Sequence, residues 1–149
     1  MLAVAVAIVL LDQASKGSLR AALEPGERVD LVFGFELVRV GNSGIAFGLL
    51  GDASSGLVLA ITLAALGLVV AWFATDATRP WLWLGVGLLV GGALGNLIDR
   101  VRVGAVTDFF DPPLWPAFNV ADVAITLGVV VLALTAFALP ADGEHPPSP

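Results

Sequence analysis

The sequence predicts an all-α membrane protein with four transmembrane helices, a small β-sheet between helices 1 and 2, and a short loop between helices 3 and 4. Three observations predict it. Of 149 residues, 58% are hydrophobic and only 13% charged, whereas a soluble domain carries about 25% charged residues. With so few charges the chain cannot cover a water-facing surface, and its mean hydropathy is +0.94. Four apolar stretches approach the ~20 residues that cross a hydrocarbon core. The stretch from Glu24 to Gly51 is too polar to span and carries a strand-like run of Val, Phe and Leu.

Composition also excludes chemistry. The chain has no Cys, so disulfides, thiol catalysis and zinc–thiolate sites are ruled out. Its one His is His145, in a polar tail, which leaves no Ser–His–Asp triad and no His-based metal site. No metal and no cofactor are expected. A net charge of −6 argues against nucleic acid as a partner. The length fits one domain, residues 1–139, followed by a disordered polar tail, 140–149.

The first span is Met1 to about Leu23. Its start is apolar but lacks a basic region, and Asp12 and Lys16 stand where a cleavage site would be, so it reads as a span and not as a removed signal peptide. Asp12 and Lys16 are four apart, with the acid first, and so share a helix face. They are either an interfacial ion pair or the polar wall of a site inside the bundle. Pro25-Gly26 marks a turn, and Val29 to Val40 reads as two short strands at the membrane surface. The segment LVRVGNSGIAFG, Leu37 to Gly48, supplies glycines for tight backbone geometry and the amide of Asn42.

Gly56 to Ala74 is the second span, without a charge. Trp81 and Trp83 then sit where an aromatic belt is expected, and Trp81 to Ile98 is the third span. Its glycines, Gly85, Gly87, Gly91, Gly92 and Gly95, let neighbouring helices approach closely. It ends in GNLIDR, which puts Asn96, Asp99 and Arg100 on one face; the Arg100 guanidinium suits a two-pronged bond to a carboxylate. A connection, Val101 to Ala117, leads to the fourth span, Phe118 to Leu139, with Asn119 and Asp122 on one face of its first turn.

Asp108 and Asp122 flank this short connection between adjacent helices. Two carboxylates brought together share a proton, because both cannot ionise cheaply. One then activates water as general base and the other acts as general acid. Taken alone, Asp108 equally reads as a solvated loop acid and Asp122 as an acid favoured by a helix dipole.

Five motifs occur together and in order: LDQASK at Leu11–Lys16, VGNSGIAFG at Val40–Gly48, GNLIDR at Gly95–Arg100, VTDF at Val106–Phe109 and FNVAD at Phe118–Asp122. In these the chain resembles the lipoprotein signal peptidases, or signal peptidase II, over nearly its whole length. The resemblance implies an aspartic endopeptidase of the bacterial cytoplasmic membrane that removes the signal peptide from diacylglyceryl-modified prolipoproteins, just before the lipidated Cys. It implies Asp108 and Asp122 as the catalytic pair. Asp12, Lys16, Asn42, Gly44, Asn96, Arg100 and Asn119 would shape the site or hold substrate, and Asp99 would be structural. The partners implied are the prolipoprotein and membrane lipid, with the enzyme a monomer. The sheet would rest extracytoplasmically on the outer leaflet, and the connection before Trp115 would act as a flap. Ser15 and Val123 depart mildly from the family pattern, and the connection between the acids is short.

Orientation is contested. The resemblance places both termini in the cytoplasm and the active site near the outer face. Six of the seven cations, Lys16, Arg20, Arg28, Arg39, Arg100 and Arg102, fall on the side opposite the termini, so a literal count puts the termini outside. Three other functions compete. Adjacent Ser15 and Lys16 point about 100° apart on a helix, a poor Ser–Lys dyad. A small proton-coupled transporter using Asp12 or Asp122 would hold its acids near the bilayer midplane. A structural subunit explains the glycines but not the clustered Asn, Asp and Arg.

Overall fold

The computed structural model describes residues 1–42, 64, 67–74 and 80–137. Gly44, most of the expected second span and the polar tail lie outside the described residues. The elements are α1 (Leu2–Ala22), β1 (Arg28–Asp30), β2 (Glu36–Asn42), α2 (Leu82–Val103), β3 (Val106–Asp111) and α3 (Val120–Phe137). Residues 67–74 are also helical. Among the described residues three helices, α1, α2 and α3, are long and apolar enough to cross a membrane.

Helix α1 is polar inside and apolar outside. Its buried residues are Ala5, Asp12 and Lys16, while Leu2, Leu10 and Leu11 are exposed. That inversion suits a helix bathed in lipid, where exposed Leu costs nothing and a charge must turn inward to find a partner. The Asp12–Lys16 pair is therefore in the bundle interior and not at an interface.

Helix α2 is the central element, and its glycines explain why. A Cβ at Gly95 would sit 2.6 Å from Asp12 Oδ2, and one at Gly92 would sit 2.5 Å from the Ala121 carbonyl oxygen. No side chain fits at either position, so α1 and α3 both press on the α2 backbone. The order of contacts gives the helix directions. Gly87 meets Val4, Gly91 meets Ile8 and Gly95 meets Asp12, so α1 and α2 run parallel. Gly85 meets Leu132 and Gly92 meets Ala121, so α3 runs antiparallel to them. Leu82, Val86 and Leu132 form a buried apolar cluster at the far end, with Val69, Trp72 and Phe73 packed against it.

Helix α2 runs five residues beyond the expected Ile98, carrying all of GNLIDR within it. It ends at Gly104, whose φ of 83° admits the left-handed backbone that closes the helix, with its N–H donating to the Arg100 carbonyl. The chain then enters β3, which lies inside the expected connection, Val101 to Ala117. VTDFFD supplies β-branched and aromatic residues, but its two acids hid the strand pattern. The sheet is three-stranded and antiparallel, in the order β1-β2-β3. Val40 pairs with Asp108 and Asn42 with Val106, beyond a register irregularity between Leu37 and Val40. Phe110 and Phe118 exchange backbone hydrogen bonds at 3.0 Å each way, and their rings lie 5.3 Å apart. The sheet is thereby joined to the chain entering α3, which begins at Val120 and not at Phe118.

Candidate active site

The site forms where the C-terminal part of α2, the N-terminus of α3 and strand β3 meet. It is built from the needs of the α3 terminus. The first N–H groups of a helix lack partners within it. Asn119 and Asp122 meet that need reciprocally: the Asp122 N–H donates to Asn119 Oδ1 at 3.0 Å, and the Asn119 N–H donates to Asp122 Oδ2 at 3.2 Å. This is the capping-box arrangement, here with Asn and Asp. A third donor, the Ala121 N–H, reaches Asp12 Oδ1 across the bundle at 3.0 Å. Asp122 thus has its capping place as well as a place in the site.

Asn119 couples the two acids. Its Nδ2 donates to Asp108 Oδ1 at 2.6 Å and to Asn96 Oδ1 at 3.2 Å. The Asn96 carbonyl also accepts from Lys16 Nζ at 2.9 Å. With its oxygen engaged by two donors, the Asn96 amide must present Nδ2 elsewhere, and it donates to Asp122 Oδ1 at 2.9 Å. The second Asp108 oxygen accepts from Asn42 Nδ2 at 3.0 Å. Both carboxylates therefore belong to one network spanning α1, β2, α2, β3 and α3.

Burial sets the electrostatics. Asp108 is 3% exposed and Asn119 1%. Burial pushes the Asp108 carboxyl up to about 6. The Asn42 hydrogen bond works against that shift, the neighbouring Asp122 charge adds to it, and the Asn119 bond and the Lys16 charge oppose it. Near neutral pH this carboxyl exchanges a proton easily, as a general acid must.

Behind the amides lies a buried ionic layer. Lys16 Nζ is 2.9 Å from Asp12 Oδ2 and 3.5 Å from Asp99 Oδ2, with all three side chains essentially inaccessible. Asp99 also accepts the Thr107 N–H at 2.9 Å and Arg20 at 3.2 Å, and Arg20 donates to the Thr107 hydroxyl at 2.8 Å. Gln13 ties Asp12, Asp99 and the Gly95 carbonyl together. Charges this deep hold only as a mutually bonded set.

Of the residues singled out in the sequence, Asp12, Lys16, Asn42, Asn96, Asp108, Asn119 and Asp122 come together. Gly44 lies outside the described residues. Arg100 does not join: among the described residues nothing pairs with its guanidinium, and its buried Nε has no partner. Gln13, Arg20 and Thr107 were not picked out as site residues. The spacing of Asp12, Lys16 and Arg20, four apart in turn, was the legible signal for Arg20; Thr107 had none without β3.

Comparisons with known proteins show the family. A family profile described as Signal peptidase (SPase) II matches residues 4–138. The chain is 42% identical over 132 residues to the lipoprotein signal peptidase of Moorella thermoacetica, covering 88% of each chain. It is 43% identical over 143 residues to that of Syntrophotalea carbinolica, covering 90% of this chain and 88% of the other. A bacterial membrane enzyme solved by the in meso method at 1.9 Å resolution superposes with a TM-score of 0.82 at 30% identity, covering 92% of each chain. A profile match over nearly the whole chain and relatives above 40% identity leave one conclusion: this chain belongs to the signal peptidase II family of aspartic membrane peptidases.

Proposed function

We propose that Asp108 and Asp122 are the catalytic pair with which this enzyme removes signal peptides from prolipoproteins. One observation carries the assignment: a single residue, Asn119, donates to both carboxylates, by its side chain to Asp108 and by its backbone to Asp122. In this reading Asp122 takes a proton from water as the water oxygen attacks the scissile carbonyl carbon. Asp108 gives its proton to the carbonyl oxygen, forming a gem-diol. Collapse returns that proton to Asp108, and Asp122 passes the one it took to the departing amide nitrogen. Lys16, Asn96 and Asp12 are positioning residues that act through Asn119 and the α3 terminus. Asn42 sits at the mouth of the site, and Arg100, with donors to spare, suits a substrate carbonyl.

The substrate class follows from the same position. The acids lie at the ends of spans beside a surface sheet, so a signal helix enters from the bilayer while its diacylglyceryl chains stay in lipid. We further propose that Gly56–Ala74, the second span in chain order, completes a set of four, since parallel α1 and α2 call for a return crossing. Both termini would then be cytoplasmic, with the sheet at the outer face of the cytoplasmic membrane. The transporter reading has no support.

The test is cleavage of a purified prolipoprotein, with and without its diacylglyceryl group, followed by mass spectrometry of the products. Cleavage immediately before the modified Cys, undiminished by Ser15→Ala, is expected. Cleavage at another bond, or of the unmodified chain equally well, would contradict the proposal.

A further inference from the structure

We infer that a cavity beside the C-terminus of α1 and the Gly41–Thr107 end of the sheet binds a phosphate group, the headgroup of a membrane phospholipid or the free anion. The cavity is about 150 Å³ and is lined by Arg20, Arg39, Thr107, Val103 and Ala105, among others, none of them acidic. That volume equals several waters at ~30 Å³ each, enough for one phosphate. Thr107 and its cross-strand partner Gly41 both line the cavity, and the Thr107 hydroxyl, which accepts from Arg20, keeps its own proton to donate. The site is separate from the dyad and does not rest on the catalytic assignment.

The charge balance favours an anion. Arg39 spends one nitrogen on the C-terminus of α1, donating to the Arg20 carbonyl at 3.1 Å and the Leu23 carbonyl at 2.8 Å. A helix C-terminus carries about half a negative charge, less than the guanidinium it meets. Among the described residues no carboxylate pairs with Arg39. Its remaining N–H donors are available, since a guanidinium has five. Arg20 is 23% exposed and shares Asp99 with Lys16, so its own charge is only partly matched. Glu27, in the adjoining turn, accepts from the Glu24 N–H. Two guanidinium forks and a hydroxyl match phosphate oxygens in geometry.

Position favours a lipid as the source. The cavity lies where the parallel α1 and α2 both end, which is the level at which spans leave hydrocarbon and meet headgroups. Its Val103, Val40 and Pro25 walls suit the glycerol end of a lipid better than bare solvent.

The test uses the full chain in detergent micelles and phosphorus NMR line broadening. Inorganic phosphate is titrated in one arm and dihexanoyl phosphatidylglycerol in the other. Ala105→Asp adds an acid to the lining, at a side chain that faces open Gly41, and Arg39→Gln deletes a cation. Binding of at least one probe to the wild type, weakened fivefold or more in each variant that folds, is expected. Binding of the lipid alone names the headgroup as the source, and binding of both names phosphate in general. Two variants are used so that misfolding of one leaves the other decisive. Absence of binding by either probe, or wild-type affinity in a folded variant, overturns the proposal.

Discussion

Asp108 concentrates the chemistry of this site in one carboxyl. Burial raises it to about 6 while two amides favour its ionised form. A carboxyl whose folded value lies above its unfolded value, near 3.9, stabilises the fold fully below that lower value. The contribution is lost as pH rises through about 6. Wild type should therefore lose ~1–3 kcal/mol between pH 4 and pH 7 through this group. Asp108→Asn should lack that slope, which denaturation midpoints of both proteins across the range will show; equal slopes would contradict it. Asn42 gives a second handle, because its bond holds the Asp108 value down. Asn42→Leu should move the alkaline limb of kcat/KM to higher pH, because in the proposed mechanism Asp108 acts in its protonated form. A limb that stays or moves lower would speak against Asp108 as the acid.

Among the elements, α2 acts as a jig. Its Asn96 holds Asp122 and Asn119, and one turn on its Asp99 holds Thr107, next to Asp108. The jig works only if α1 and α3 touch its backbone, which Gly95 and Gly92 permit. Gly95→Ala drives a methyl into Asp12 and should cost ~1–3 kcal/mol, with a drop in activity as Asp12 leaves the α3 terminus. Gly17→Ala, where nothing lies within 4 Å, should be neutral or gain up to ~1 kcal/mol. Thermal midpoints of the pair measure this, and equal effects would refute the packing account. Much of this level was legible in the sequence. Glycines at close spacing announced the helix contacts, and Asp12 with Lys16 announced a polar face. Strand β3 was not, because three consecutive buried residues, Val106, Thr107 and Asp108, two of them polar, show no apolar alternation. Nor was the role of Asn96, whose amide orientation depends on Lys16, eighty residues away in the chain.

At the scale of the whole molecule, several of the cations that enter a count of loop charges are held in ion pairs. Lys16 and Arg20 are committed to Asp12 and Asp99, and Arg28 bridges Glu36 and Asp111 across the sheet. Bound in this way, they carry less weight in such a count than free loop cations would. In the proposed orientation Val32, exposed in the turn between β1 and β2, faces outward. In a chain without native Cys, Val32→Cys should react with an impermeant maleimide on intact cells, and Ala141→Cys only after lysis. The reverse pattern would favour the charge count. The acids gather beside the sheet, where α2 ends and α3 begins; in the proposed function a signal helix reaches them from the bilayer. The central claim is that Asp108 and Asp122 act as one unit. The direct measurement is cleavage of a diacylglyceryl-modified prolipoprotein by wild type, Asp108→Asn and Asp122→Asn, with folding and substrate binding checked for each. A loss of at least ~100-fold in both variants, with binding retained, is predicted. Cleavage at the wild-type rate by either variant would remove that acid from the mechanism.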